Sequence, residues 1–236
     1  MEFTEKSAVI FLSISLVFDL LILVLSIYAV FQHKKDELLL WGKWTLLVPL
    51  GFVPGLFLGT LATEFVEFLY VTLGQLIIGF TLGLAEWFIL RHYLKTPGYW
   101  ILATILGWAS GVALTRYEGY PIPYLCGVIV GAIQFLVIGQ QYKRSAWWIV
   151  ATGFGIAYIL FQSNAFYSVY PSSFIMSTFN GQVTFDWRAW MAFGLSTLVY
   201  SAITGVSLVW LVRKEDRNAN VQSDMIKSVP NEHGAA

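Results

Sequence analysis

Charge is what this sequence most lacks. Asp, Glu, Lys and Arg make up 12% of its 236 residues, about half the share usual in a soluble domain, while 57% are hydrophobic. Fourteen basic residues balance fourteen acidic ones, so no global charge points to nucleic acid. A single cysteine, Cys126, stands in an apolar run, which excludes an intrachain disulfide. The three histidines, His33, His92 and His233, are scattered with no HExxH pattern or cysteine partner, and no metal or cofactor is expected. A Walker-type phosphate loop and a Gly-x-Ser-x-Gly elbow are both missing. Nothing here reads as a catalytic residue.

What is present is hydrophobic sequence in long runs, and it defines an integral membrane protein. A bilayer core about 30 Å thick takes roughly 20 apolar residues per helix. On that ruler the chain reads as an all-α polytopic bundle of seven transmembrane helices, at about 8–31, 44–62, 68–90, 99–114, 123–140, 146–161 and 190–212. The second contains Pro49 and Pro54, which remove backbone donors, so it should kink and lie against protein. The leading MEFTEKS lacks a basic n-region and no small-residue cleavage site follows the first run, so that run is expected to be retained. From residue 213 onward the sequence is polar and aperiodic, and a disordered tail is expected over 213–236.

Lysine and arginine orient the bundle. Lys34, Lys35, Lys43, Arg91, Lys95, Lys143, Arg144, Arg213, Lys214, Arg217 and Lys227 follow the odd-numbered spans, and only Lys6, Arg116 and Arg188 fall on the other side. This bias predicts an outside N-terminus and a cytoplasmic C-terminus.

The residues 79–107 and 127–155 align without a gap at an offset of 48. Gly79/Gly127, Gly83/Gly131, Trp100/Trp148, Ala103/Ala151, Thr104/Thr152 and Gly107/Gly155 coincide, and Glu86 pairs with Gln134. An offset of this size reads as a repeated helical hairpin, about 79–115 and 127–163, in parallel orientation. Inverted transporter repeats have a different arrangement. Trp44, Gly51 and Gly55 share the spacing of Trp100, Gly107 and Gly111, so a weaker third copy predicts three consecutive hairpins followed by a seventh helix. On a helical wheel Gly79, Gly83 and Glu86 share a face within about 60°, and the glycines are expected to be packing seams. Trp100 and Trp148, next to Lys95, Lys143 and Arg144, are expected to anchor at the headgroups.

Two carboxylates are candidates for an intramembrane polar site. Asp19 falls mid-span, where an ionisable group costs at least about 2.5–3.5 kcal/mol on insertion scales. Its expected partners are Gln75 and the hydroxyl stripe Thr197, Tyr200, Ser201, Thr204 and Ser207 of the seventh span. Glu86 falls about one turn from the cytoplasmic boundary, within reach of water, and its counterpart Gln134 suggests a slot that needs an acceptor more than a charge. Residues 163–187 form the one long connection, rich in aromatics and carrying Asn180-Gly181, a strong hairpin signal.

The unit Gly-x-x-x-Gly-x-x-[Glu/Gln]-[Trp/Phe] followed by Trp-Ile-x-Ala-Thr-x-x-Gly resembles repeats in small, uncharacterised multi-spanning bacterial membrane proteins. The resemblance covers about a third of the chain, implies a bacterial inner or plasma membrane, and carries no activity with it. The expected role is non-enzymatic binding, as an assembly, sensory or regulatory partner of another membrane component within the lipid bilayer. The alternative is a transporter or channel for a small solute or proton that uses Asp19 and the polar residues of the seventh helix.

Overall fold

The computed structural model describes residues 5–31, 35–65, 70–117, 120–121, 123–142, 145–169, 176–179, 182–185 and 187–228. These form seven helices: α1 (Glu5–Phe31), α2 (Lys35–Phe65), α3 (Tyr70–Leu90), α4 (Gly98–Thr115), α5 (Pro123–Ile138), α6 (Ala146–Val169) and α7 (Trp187–Ser228). Two short antiparallel ribbons complete them. β1 (Arg116–Tyr117) pairs with β2 (Tyr120–Pro121) between α4 and α5, and β3 (Met176–Phe179) pairs with β4 (Gln182–Phe185) between α6 and α7. Phe179 faces Gln182 in register, as an Asn180-Gly181 turn would place them, although that turn lies outside the described residues.

Four helices are long and apolar enough to cross a membrane, with windows at 13–30, 35–62, 73–90 and 193–213. The apolar parts of α4, α5 and α6 are shorter, at 98–114, 124–138 and 146–162. Their starts are set by local chemistry. Pro123 opens α5, where a missing N–H costs nothing. In front of α4, Trp100 N–H bonds the Pro97 carbonyl at 3.1 Å, and in front of α6 Trp148 N–H bonds the Ser145 carbonyl at 2.8 Å. Asp36 and Glu37 occupy the first turn of α2, where the helix dipole favours them.

Six of the helices close a ring. α2 packs on α3, α3 on α4, α4 on α5, α5 on α6, α6 on α7, and α7 returns to α2. α1 lies outside it, chiefly against α7, and presents Val17, Phe18, Leu20, Val24 and Tyr28 outward. The expected order of three consecutive hairpins is therefore corrected. The helix that pairs with α2 as α3 pairs with α4 is α7, from the far end of the chain, and α1 is the additional helix.

One other expectation changes. The segment after Arg213 continues α7 as helix to Ser228. Extending an existing helix adds one backbone bond per residue fixed, without a new nucleus. Pro49 and Pro54 both fall inside α2, which runs unbroken for 31 residues. α2 buries one face, with Trp44, Val48 and Phe52, and leaves Leu46 and Leu50 exposed.

Candidate functional site

Small residues bring the backbones together at corresponding points around the ring. A Cβ on Gly83 would meet Thr104 Cβ at 3.0 Å and Ile101 Cα at 3.2 Å; on Gly131 it would meet Thr152 Cβ at 3.1 Å and Ile149 Cα at 2.9 Å. These are the same neighbours at an offset of 48. On Gly79 it would meet Ile105 Cα at 2.8 Å, and on Gly127 the corresponding Gly153 Cα, also at 2.8 Å. The second helix of each pair then packs on the next pair, Gly107 against Val130 and Gly155 against Tyr200. Gly51 of α2 meets Leu82 in the same way.

With backbones this close, polar side chains of each pair turn into the ring's interior. Trp100 Nε1 donates to Glu86 Oε2 at 2.8 Å, and Trp148 Nε1 donates to Gln134 Oε1 at 2.9 Å, each across 14 residues of sequence. Trp44 Nε1 of α2 donates to Thr204 Oγ1 of α7 at 3.0 Å. Three indoles thus engage three acceptors, one in each helix pair. The rings pack edge to face, Trp44 on Trp148 at 5.7 Å and Trp100 on Trp148 at 5.5 Å between centroids, an arrangement aromatic pairs favour.

These tryptophans are wholly buried, so the expectation of headgroup anchors is overturned for Trp100 and Trp148. An indole N–H inside lipid needs an acceptor, and the conserved offset to Glu86 or Gln134 supplies one. The exposed aromatics beside them are their neighbours Tyr99 and Trp147.

Glu86 is the hub. Besides Trp100, its Oε2 accepts from Thr104 Oγ1 at 3.2 Å and from Gln134 Nε2 at 3.3 Å, while Tyr200 OH donates to Oε1 at 3.4 Å. Gln134 Nε2 also donates to Thr104 Oγ1 at 3.0 Å. Four helices, α3, α4, α5 and α7, thus meet on one carboxylate. Glu86 is fully buried, so the expectation that it reaches water is corrected. The ring of small residues admits the neighbouring helices close enough to cover it.

Most of the hydroxyl stripe of α7 also turns inward, while Ser207 is half-buried on the α6–α7 groove. Thr197, Ser201 and Thr204 are fully buried, and Ser201 Oγ donates to the Thr45 carbonyl at 3.0 Å. That carbonyl is the one left without its helical N–H by Pro49, four residues on. The position α3 and α5 fill with Gly83 and Gly131 is filled in α7 by a serine, which closes the gap opened by the proline.

Asp19 is buried too, at 5% exposure, but of its expected partners on α7 Tyr200 serves Glu86, Ser201 and Thr204 serve α2, and Thr197 bonds the Phe193 carbonyl of its own helix. Tyr158 OH of α6 donates to Asp19 Oδ1, and Gln162 Nε2 donates both to Tyr158 OH, at 2.7 Å, and to Ser15 Oγ. Gln75 is half-buried on α3, and among the described residues no hydrogen bond joins it to Asp19. Tyr158 and Gln162 were not anticipated from sequence, although their spacing of four on an apolar helix puts two polar tips on one face. The candidate residues therefore divide into two centres: Glu86, Gln134, Tyr200 and Thr204 inside the ring, and Asp19 between α1 and α6.

Among the described residues no three His, Cys, Asp or Glu side chains come together, and Cys126 is buried. Two apolar grooves mark the outer wall. One, between α2 and α3, is lined by Leu47, Leu50, Pro54, Leu84, Ala85 and Phe88; the other, between α6 and α7, by residues including Val150, Phe154, Val206 and Trp210.

Fold and site together define an integral membrane helix bundle with a hydrogen-bonded polar centre. No known protein family, curated protein or solved structure matches the chain.

Proposed function

We propose that the chain is a seven-span protein of a bacterial inner or plasma membrane, N-terminus outside and C-terminus cytoplasmic, that acts without catalysis by binding another membrane component. The observation that carries this reading is the sealed interior. Glu86, Gln134, Thr104, Thr204 and the three indoles are fully buried and bond one another, so the polar centre supports the bundle and the surfaces left for recognition are apolar and outward-facing. The hairpin relation at an offset of 48 fits a scaffold built by duplication, with α7 and α2 forming a third, circularly permuted unit. Regulation or assembly of a second membrane protein suits such a scaffold. In-membrane photocrosslinking from Val150 or Phe154 on the α6–α7 wall tests the reading: a discrete adduct of constant mass is expected, and a smear of lipid adducts alone overturns it.

A transporter or channel is the second reading, favoured by one observation. Asp19 is a buried carboxylate met by the Tyr158 hydroxyl rather than by a cation, which suits a site that gains and loses a proton. Proteoliposomes bearing wild-type protein would then dissipate an imposed pH gradient, and Asp19→Asn would abolish the flux. No flux in either removes this reading.

A further inference from the structure

The groove between α2 and α3 opens at one end onto two cations. Leu47, Leu50, Gly51 and Pro54 form one wall and Thr81, Leu84, Ala85 and Phe88 the other. It exists because small residues line its floor, Gly51 and Ala85 among them, while Leu50, Leu84 and Phe88 stand out on its rims. Each wall runs over eight residues, seven steps or roughly 10 Å of helix at 1.5 Å per step, which fits within one leaflet of a core about 30 Å thick.

Lys43 is exposed one turn before Leu47, on the same face of α2. Arg91 is exposed just beyond the end of α3, and its guanidinium lies over the Phe88 ring at 4.3 Å and the Trp87 ring at 5.4 Å. Stacking of this kind holds the fork in place and leaves its remaining N–H groups free to turn outward. Its Nε donates to His92 Nε2 at 3.3 Å. Among the described residues neither Lys43 nor Arg91 forms an ion pair, whereas Arg213, one turn past Trp210 at the corresponding end of the α6–α7 groove, is 3.6 Å from Glu37. Two unneutralised cations at the mouth of an apolar channel match one chemistry: an anionic headgroup on a hydrocarbon chain.

We propose that the α2–α3 groove is a binding site for an anionic glycerophospholipid, with an acyl chain between Leu50 and Phe88 and the phosphate between Lys43 and Arg91. The site selects lipid of the leaflet that the basic end of the bundle faces. The lipid tails fill the channel, and the two cations supply the preference for negative charge.

The test uses the full chain, delipidated in detergent and titrated with dioleoyl phosphatidylglycerol or dioleoyl phosphatidylcholine, with bound lipid counted by native mass spectrometry. Wild type is expected to hold one phosphatidylglycerol with roughly tenfold to thirtyfold preference, the size two cations near an anionic headgroup supply. K43A/R91A should lose most of that preference, and K43Q and R91Q singly should each lose part of it. K35A/K95A, which removes two exposed cations at the same end, should keep it. Ala85→Phe, which fills the channel, should weaken both lipids. Glycerol phosphate alone, carrying the charge without the chains, should not compete. Loss of preference in K35A/K95A equal to that in K43A/R91A, competition by glycerol phosphate, or no preference in wild type would each overturn the proposal.

Discussion

Gln134 Nε2 donates to Glu86 Oε2 at 3.3 Å, so the two residues that correspond at an offset of 48 are themselves in contact. Equivalent positions in neighbouring helix pairs converge on the middle of the ring, and there the glutamine can donate where the glutamate can only accept. Two glutamates would repel, and two glutamines would leave Trp100, Thr104 and Tyr200 a weaker acceptor. The difference between the two copies gives the donors around residue 86 the stronger acceptor.

Glu86→Gln should be tolerated and Glu86→Leu should not. The amide oxygen can keep Trp100, Thr104 and Gln134, and its NH2 can turn to Tyr200 OH, which is able to accept. Leucine strands four buried donors, each costing about 1–3 kcal/mol. Thermal unfolding in detergent should shift by a few degrees for the amide and collapse for the leucine. Equal damage from both would mean that charge, not acceptance, fills the slot.

Ser201 and Pro49 should be energetically coupled. Ser201→Ala leaves the Thr45 carbonyl buried without a donor, at a cost of about 1–3 kcal/mol. With Pro49→Ala in the background, residue 49 supplies the helical N–H itself, and the same serine change should cost at most about 0.5 kcal/mol. A double-mutant cycle read by unfolding would show coupling near 1 kcal/mol. Additive changes would show that the bond carries nothing.

How far the sequence foretold this arrangement depends on which signals were local. Apolar runs marked the seven helices, and glycines four apart marked faces where backbones meet, because both follow from helix geometry alone. The offset of 48 marked Glu86 and Gln134 as one position. It did not say that the position points inward, since a tryptophan near basic residues reads equally as a headgroup anchor. The 14-residue interval shared by Glu86–Trp100 and Gln134–Trp148 was the available sign, as a fixed interval between a donor and an acceptor. Ring closure by α7 onto α2 was not legible, because 160 residues separate Trp44 from Thr204 and Thr204 shows no likeness to Glu86 beyond its place on the wheel. The neighbours of Asp19 are not legible for a related reason: several polar faces are on offer, and only packing decides which one α1 meets.

Gly127→Ala and Gly42→Ala should have opposite signs. The new methyl at residue 127 would sit 2.7 Å from the Gly153 carbonyl oxygen and 2.9 Å from that of Thr152, both backbone atoms that cannot swing aside. A loss of about 1–3 kcal/mol or more follows. At Gly42, within α2, nothing lies within 4 Å, and alanine should add about 0.4–1 kcal/mol through helix propensity and a less flexible unfolded chain. Melting temperatures of the two variants, measured side by side in one detergent, check both signs.

Asp19 should govern the attachment of α1 without governing the ring. Along α1 most side chains face outward, Val17 at 64% and Leu20 at 54% exposure, so little apolar packing holds the helix to its neighbours. Asp19 and Ser15 meet Tyr158 and Gln162 of α6, which makes this polar contact a large share of what fixes α1. Asp19→Asn keeps a carbonyl for Tyr158 and should be nearly silent in stability. Asp19→Leu removes it and leaves a phenol and an amide against an apolar wall, at about 1–2 kcal/mol for contacts of this kind within a bilayer. The readout is local: with Cys126 replaced by alanine, a cysteine at Ser26, a buried α1 position, should become more reactive to a thiol reagent in the leucine variant and in Tyr158→Phe. The near-ultraviolet signal of the packed tryptophans should stay constant in both. Loss of that signal together with α1 would mean that the six-helix ring does not stand without its outer helix.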